Sequence, residues 1–252
     1  MKGIDVSAWQ GVIDWEKVKK SGIDFAMIRV VTINKNGNPI VDSKAIRNIE
    51  ECIRVGMPFG TYLYSYALQI PRAEMEAKLM LETLEPYKDK VSFPVAIDME
   101  DADKYKEKHG MPTNEMLVDI CEKECTMFEN AGYYAMIYAS KSWFDTKLKS
   151  SKLDRFDKWL AWWWNNAKFS HEKYGIWQYS SVGSVNGISG SVDMNESFKD
   201  YPKIIRREKK MTKEEQIKLI QEKAGLDDNT MKYLQFYRYG DALIEKLANS
   251  MK

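Results

Sequence analysis

Two acids inside one short apolar run carry the first chemical signal in this chain. In Val95-Ala96-Ile97-Asp98-Met99-Glu100 the residues Val95, Ile97 and Met99 fall on one face of an extended strand, and Ala96, Asp98 and Glu100 on the other. At roughly 3.3 Å per residue the two carboxylates stand about 6–7 Å apart, and desolvating them together costs free energy unless the charge is used or neutralised. A solvated edge strand is the ordinary explanation, but the pattern recurs. Asp5 lies between Ile4 and Val6, and Asp193 between Val192 and Met194. Laid side by side, such strands bring four carboxyls together. Glycoside cleavage uses such a set, because one protonated carboxyl protonates the leaving oxygen while an ionised one stabilises oxocarbenium-like charge. Crowding provides the asymmetry, since burial and like charges raise the pKa of the least solvated group. The two-residue spacing falls between the separations of nucleophilic and inverting mechanisms and selects neither.

A parallel sheet closed into a barrel is the arrangement that brings strand ends from residues 5, 98 and 193 to one place. The rhythm of the chain fits it over roughly 140 residues. Asp14 is the expected cap of a helix over 15–21, which Gly22 ends before a strand over 23–31. Asp42 caps 43–55, Gly56 ends that helix, and a strand over 58–67 follows. A helix from Pro71 to about residue 85 leads into the acidic strand 91–100, and Thr113 opens a helix 114–130 that Gly132 closes before a strand 133–139. Beyond residue 140 only short strands, 159–163, 174–180 and 191–195, are readable, so the second half of the barrel is expected to be degenerate. The expected fold class is α/β, a modified (β/α) barrel over residues 1–202 followed by a small, mainly helical C-terminal module over 203–252.

The 252 residues are 44% hydrophobic and 12% aromatic, with 8 Trp and 14 Tyr, which suits a normal core and carbohydrate contacts. A net charge of +1 implies neither nucleic acid nor an anionic membrane surface as partner. No apolar run approaches the ~20 residues that span a bilayer, and the N-terminus lacks a signal-peptide pattern, so a cytoplasmic product is expected. Cys52, Cys121 and Cys125 cannot all pair within one chain and read as small buried apolar groups. With His109 and His171 as the only histidines, neither a metal nor another cofactor is expected. Residues 203–252 hold 12 Lys and Arg against 8 Asp and Glu, a net of +4 that leaves −3 for residues 1–202. Thr212-Lys213-Glu214-Glu215 forms a capping box, Gly225 is a stop, and helices over 227–239 and 241–250 take apolar faces from Leu226, Met231, Leu234, Leu243 and Leu247. The linker is expected at 204–213. A separate module and a helix pair packed on the barrel both fit.

Four separated segments agree in order and spacing with one known family. Residues 3–15 (GIDVSAWQGVIDW), 58–67 (PFGTYLYSYA), 96–100 (AIDME) and 176–195 (IWQYSSVGSVNGISGSVDMN) resemble the family-25 lysozymes, the muramidases common among bacteriophage endolysins. The resemblance covers about residues 1–200 and implies a modified α/β barrel that hydrolyses the β-1,4 bond between N-acetylmuramic acid and N-acetylglucosamine in bacterial peptidoglycan. By position it implies Glu100 as the general acid, Asp98 as its carboxylate neighbour, Asp5 and Asp193 as flanking acids, and Tyr62 and Tyr138 as substrate-contacting aromatics. It favours net retention, with the substrate's own N-acetyl group attacking and Asp98 orienting it. Leu63 stands where many members carry His, which implies a changed pocket lining.

From the residues themselves, Tyr62, Tyr64 and Tyr66 share a strand face and serve either as barrel filling or as sugar platforms. Trp162 is the favoured stacking ring among Trp162, Trp163 and Trp164. Arg29, ending an apolar strand on the substrate side, is expected to pair with a site carboxylate. The expectation is thus an endolysin that acts on the cell wall after release from the host cytoplasm, its residues 203–252 holding it to the wall or joining chains into an oligomer. A non-catalytic glycan-binding protein on the same barrel is the alternative, and the crowded acid pair argues against it. A metal-dependent hydrolase using the acids as ligands of a hard cation is a third reading, which unchanged activity in chelator would discard.

Overall fold

Residues 1–163, 173–208 and 213–251 are described by a computed structural model. In chain order the elements are β1 Lys2–Val6, α1 Trp15–Lys20, β2 Phe25–Ile33, β3 Pro39–Val41, α2 Ala45–Val55, β4 Phe59–Tyr64, α3 Ile70–Leu84, β5 Val95–Asp98, α4 Tyr105–Lys108, α5 Asn114–Asn130, β6 Ala135–Ser140, α6 Lys141–Asp145, β7 Asp157–Ala161, β8 Ile176–Gly183, β9 Val192–Ser197, α7 Tyr201–Glu208, α8 Lys213–Ala224, α9 Asp228–Phe236 and α10 Gly240–Ser250. The caps follow from side chains. Asp14 accepts from the Lys17 N–H at the start of α1, and Thr113 from the Met116 N–H at the start of α5.

β1, β2 and β4 to β8 run parallel around a ring, and β9 closes it by pairing antiparallel with both β8 and β1. Eight strands form the closed barrel. β3 pairs antiparallel with Val31–Ile33, the part of β2 that extends past its pairing with β1. The period-2 alternation then divides each strand. Val95, Ile97, Ile28 and Leu63 join the core between barrel and helices, while Phe25, Met27, Tyr62, Ala96, Tyr138 and Trp159 fill the interior. The floor lies at the N-terminal strand ends, where Phe25 stacks on Phe93 at 4.3 Å. Gly60 beside it has no room for a side chain: a Cβ there would stand 2.4 Å from the Pro94 carbonyl oxygen and 2.8 Å from both Met27 Sδ and Phe93 Cβ.

Several expectations are corrected. Asp42 does not cap α2, because one of its oxygens is taken by Arg29 and the other accepts the Lys44 N–H; Lys44 is the cap position and gives no side-chain bond. The acidic strand ends at Asp98, leaving Glu100 beyond it. Leu63 is fully buried in the outer core, on the helix side of β4, and does not line the pocket. The expected linker 204–213 begins inside α7, whose Ile204 and Ile205 pack with Tyr201 against the barrel floor. Tyr201 and Tyr134 both donate to Asp157 Oδ2 at 2.8 Å there.

The chain divides into two compact units, Met1–Arg206 and Arg207–Lys252. The second has its own small core of Ile220, Met231, Ile244 and Ala248 among α8, α9 and α10. Gly225, at φ +65°, follows α8, and Asp227 caps α9 by accepting the Thr230 N–H at 2.9 Å. Thr212 of the capping box lies outside the described residues, as do Trp164 and His171. Among the described residues no helix is long and apolar enough to cross a membrane.

Candidate active site

The C-terminal ends of the parallel barrel strands and the N-terminal end of β9 enclose a cavity of about 320 Å³ in which Asp5, Asp98, Glu100 and Asp193 meet. Register explains the meeting. Asp5 on β1 is the direct partner of Asp193 on β9, and Tyr64, Asp98 and Tyr138 stand side by side on β4, β5 and β6. Glu100 follows two residues past Asp98 and also borders a second hollow of about 410 Å³, lined by Ser140, Lys141, Asp145 and Trp162. Tyr138 and Trp163 line both. The result is a groove with Glu100 at its waist.

A hydrogen bond pairs Asp5 with Asp193, and charge couples Asp98 to Glu100. Asp5 Oδ2 accepts from Gln178 Nε2 and Asn195 Nδ2, each at 2.8 Å, and also takes a bond from Asp193. Burial pushes Asp193 up to about 8, reinforced by the charge of Asp5, so the proton they share rests on Asp193 at neutral pH. Burial raises Asp5 as well, against the lowering effect of its donors. Asp98 is buried with Oδ1 unpartnered within the protein; burial first, and Glu100 second, hold its carboxyl well above the usual range. Glu100 is pushed up to about 7, chiefly by burial, with Lys106 pulling down and Asp5 pushing up. A carboxyl half-protonated near neutral pH, set in a buried cluster of acids, is the equipment of general acid catalysis. Among the described residues no group of three or more His, Cys, Asp or Glu is arranged to hold a metal ion.

Each residue singled out from the sequence has a definite place. Tyr62 lies in the barrel interior, edge-on to Trp159 at 5.8 Å, yet also lines the cavity, so filling and lining are one position. Tyr64 lines it too; Tyr66 packs on Tyr64 at 4.8 Å and on Tyr105 at 4.9 Å. Tyr138 donates its hydroxyl to Gln178 Oε1 at 3.0 Å. Trp162 lines the second hollow, with Lys141 Nζ 5.7 Å from its ring centre, while Trp163 is 56% exposed and donates to Gln178 Oε1 at 3.0 Å. Arg29 borders the cavity but pairs with Asp42, at 2.8 Å, instead of with one of the four acids.

Sequence reasoning missed Gln178, Asn195, Trp159, Trp9 and Lys106. The indole of Trp159 donates to Asn195 Oδ1 at 2.7 Å and so fixes the amide that holds Asp5. Trp9 is 85% exposed at the cavity rim, and a ring so exposed beside four acids is a signal that only the fold reveals. Lys106 is fully buried, with Nζ donating to the Glu100 carbonyl oxygen at 2.8 Å.

Comparison with known proteins places this architecture. The model of glycosyl hydrolases family 25 matches residues 4–188. Lysozyme M1 of Streptomyces globisporus is 26% identical over 201 residues, 77% of this chain and 67% of that protein. Among solved structures, the modular autolysin LytC from Streptococcus pneumoniae in complex with a synthetic peptidoglycan ligand superposes with a TM-score of 0.68 at 30% identity, covering 77% of this chain and 46% of that one. A family 25 glycosyl hydrolase from Bacillus anthracis gives 0.66 at 24% identity over 82% of this chain and 92% of its own.

Proposed function

The chain belongs to glycosyl hydrolase family 25 and is a glycoside hydrolase of the lysozyme kind, and from that premise we propose that it cuts the β-1,4 bond between N-acetylmuramic acid and N-acetylglucosamine in bacterial peptidoglycan, with Glu100 as the general acid. One observation carries the reading. Glu100 stands at the waist of the groove with a carboxyl pushed up to about 7, so it holds a proton to give at neutral pH and can take one back. Similarity to the pneumococcal autolysin determined with a peptidoglycan ligand supports the substrate.

In the proposed reaction Glu100 gives its proton to the glycosidic oxygen as the bond from that oxygen to C1 breaks. The carbonyl oxygen of the substrate's N-acetyl group closes on C1 from the opposite face, forming a cyclic oxazolinium while the amide N–H donates to Asp98. The unpartnered Oδ1 of Asp98 supports that placement. Glu100, now ionised, takes a proton from the water that opens the ring at C1, which restores the acid and retains the configuration. Asp5 and Asp193 hold their shared proton, and the charge of Asp5 adds to burial in keeping the Glu100 carboxyl high. Tyr62, Tyr64, Tyr138, Trp162 and Arg29 serve as walls for the sugars. The wider role in this proposal is lysis of a bacterial cell by an enzyme released from the cytoplasm, as in an endolysin; it is supported by the sequence resemblance alone.

Digestion of purified peptidoglycan, borohydride reduction and sugar analysis test the reading. Muramitol is the expected product. Glucosaminitol would make the enzyme a glucosaminidase, and neither alcohol would remove the glycosidase assignment on this substrate.

A further inference from the structure

Lys106, on the single turn of α4, has no role in the reaction as drawn, yet it is fully buried. Its Nζ donates to two backbone carbonyls, that of Ser65 just past β4 and that of Glu100 just past β5, the second at 2.8 Å. The ammonium also lies 5.7 Å from the Tyr64 ring centre and 6.0 Å from that of Tyr66. The loop that brings it there is itself fixed, because the Asp101 carboxylate accepts from the Lys106 and Glu107 N–H groups at 2.7 and 3.0 Å. Lys104 turns the chain with a left-handed φ of +60°. Burying an ammonium costs free energy through lost hydration unless surrounding groups use the charge.

We propose that Lys106 is a positioning residue for the hydrolysis: it ties the backbone at Glu100 to the end of β4 and sets a positive charge beside the Asp98 and Glu100 carboxyls. This rests on Glu100 being the acid. The groups facing Lys106 support it. Asp98 acts on it from β5, Asp101 and Asp103 from its own loop, and Glu76 from α3. Glu76 is already engaged, accepting from Arg72 Nε at 2.8 Å and from the Ser65 hydroxyl at 3.0 Å. Glu124 faces it from α5, its carboxyl held well above the usual range, first by burial and then by Glu76, with Lys106 pulling down. Tyr64 and Tyr66 stay neutral. The charge of Lys106 acts on the catalytic pair, where it opposes burial and Asp5 at Glu100 and, together with Arg29, opposes burial and Glu100 at Asp98.

The test is the pH profile of kcat/KM on soluble peptidoglycan fragments for Lys106→Met, Lys106→Gln and Lys106→Arg. Removing a neighbouring positive charge raises a carboxyl's pKa, and the acid form of Glu100 then persists to higher pH. The alkaline limb should move up by about one unit in the two neutral variants and stay within a few tenths of a unit of wild type in Lys106→Arg. Neutral variants with native circular dichroism and an unmoved limb would overturn the proposal. So would neutral variants that fail to fold while Lys106→Arg folds, since the lysine would then serve the fold alone. No turnover by the wild-type chain would remove the proposal together with the reading beneath it, a result distinct from turnover whose pH limb ignores Lys106.

Discussion

Asp5 and Asp193 face one another across β1 and β9 with one proton between them, and that pairing makes a prediction of defined sign. The charge of Asp5 raises Glu100, so Asp5→Asn lowers the acid's pKa and the alkaline limb of activity should fall by about half a unit to one unit. Asp193→Asn should shift it less, because Asp193 carries the proton. Initial rates on peptidoglycan between pH 4 and 9 measure both; a rise in both variants would contradict the crowded-carboxyl account. The acids themselves were legible because strand alternation has a period of two and needs no partner to be seen. Gln178 and Asn195 were not, since what they do depends on Asp5, more than 170 residues away in sequence. Lys106 sits in a run of charges from Asp101 to Lys108 that reads as solvated surface. Leu63 is the opposite case: with Tyr62 and Tyr64 facing inward, the same alternation already assigns Leu63 to the helix side.

At the scale of elements, α5 carries Glu124 into the outer core with both carboxylate oxygens unpartnered within the protein. Its pKa in the folded chain is raised above the ordinary 4.5, so as pH climbs past 4.5 the unfolded chain loses the proton first and stability falls until the folded value is reached. Glu124→Met removes that slope. Melting followed by circular dichroism should show a gain of a few degrees at pH 8, about 2–4 °C per kcal/mol for a chain of this size, fading toward pH 4. A gain that is equal at both pH values would assign it to packing instead. In β4, Gly60→Ala should cost about 1–3 kcal/mol, because the added methyl meets backbone and core atoms that cannot all retreat; urea midpoints would measure it. Helix 114–130 was readable from its cap and its terminal glycine. β3, α4 and α6, at 3, 4 and 5 residues, are too short to show a period, and Asp42 looked like a cap because its ion pair with Arg29 is a tertiary fact.

At the scale of the whole molecule, the sequence placed a change of character near residue 200 from charge and lost rhythm, but the break it drew cuts through α7. Tyr201, Ile204 and Ile205 belong to the barrel floor. A chain ending at residue 208 should therefore keep its melting temperature and its rate on soluble fragments, whereas one ending at residue 200 should melt well below it. The proposed task of residues 207–252 is to hold the enzyme on the wall. Net positive charge supports it, as do Tyr233 and Phe236, 80% and 87% exposed, which offer rings to sugars. The 208-residue chain should lyse intact cells poorly, and a tagged 207–252 fragment should bind walls less as salt rises. Equal lysis by the short chain, or a fragment that dimerises and ignores walls, would give these helices an oligomeric role.

The central claim is that Glu100 protonates a leaving group, and leaving-group dependence addresses it most directly. On peptidoglycan, whose departing sugar oxygen needs a proton, Glu100→Gln should lose about 10²–10⁴-fold in kcat. On an aryl glycoside of the same disaccharide with a dinitrophenolate leaving group, which departs without one, the first step of that variant should approach the wild-type rate, while Asp98→Asn should be slow on both substrates. Equal losses for Glu100→Gln on the two substrates, or near-normal turnover of peptidoglycan, would contradict the account.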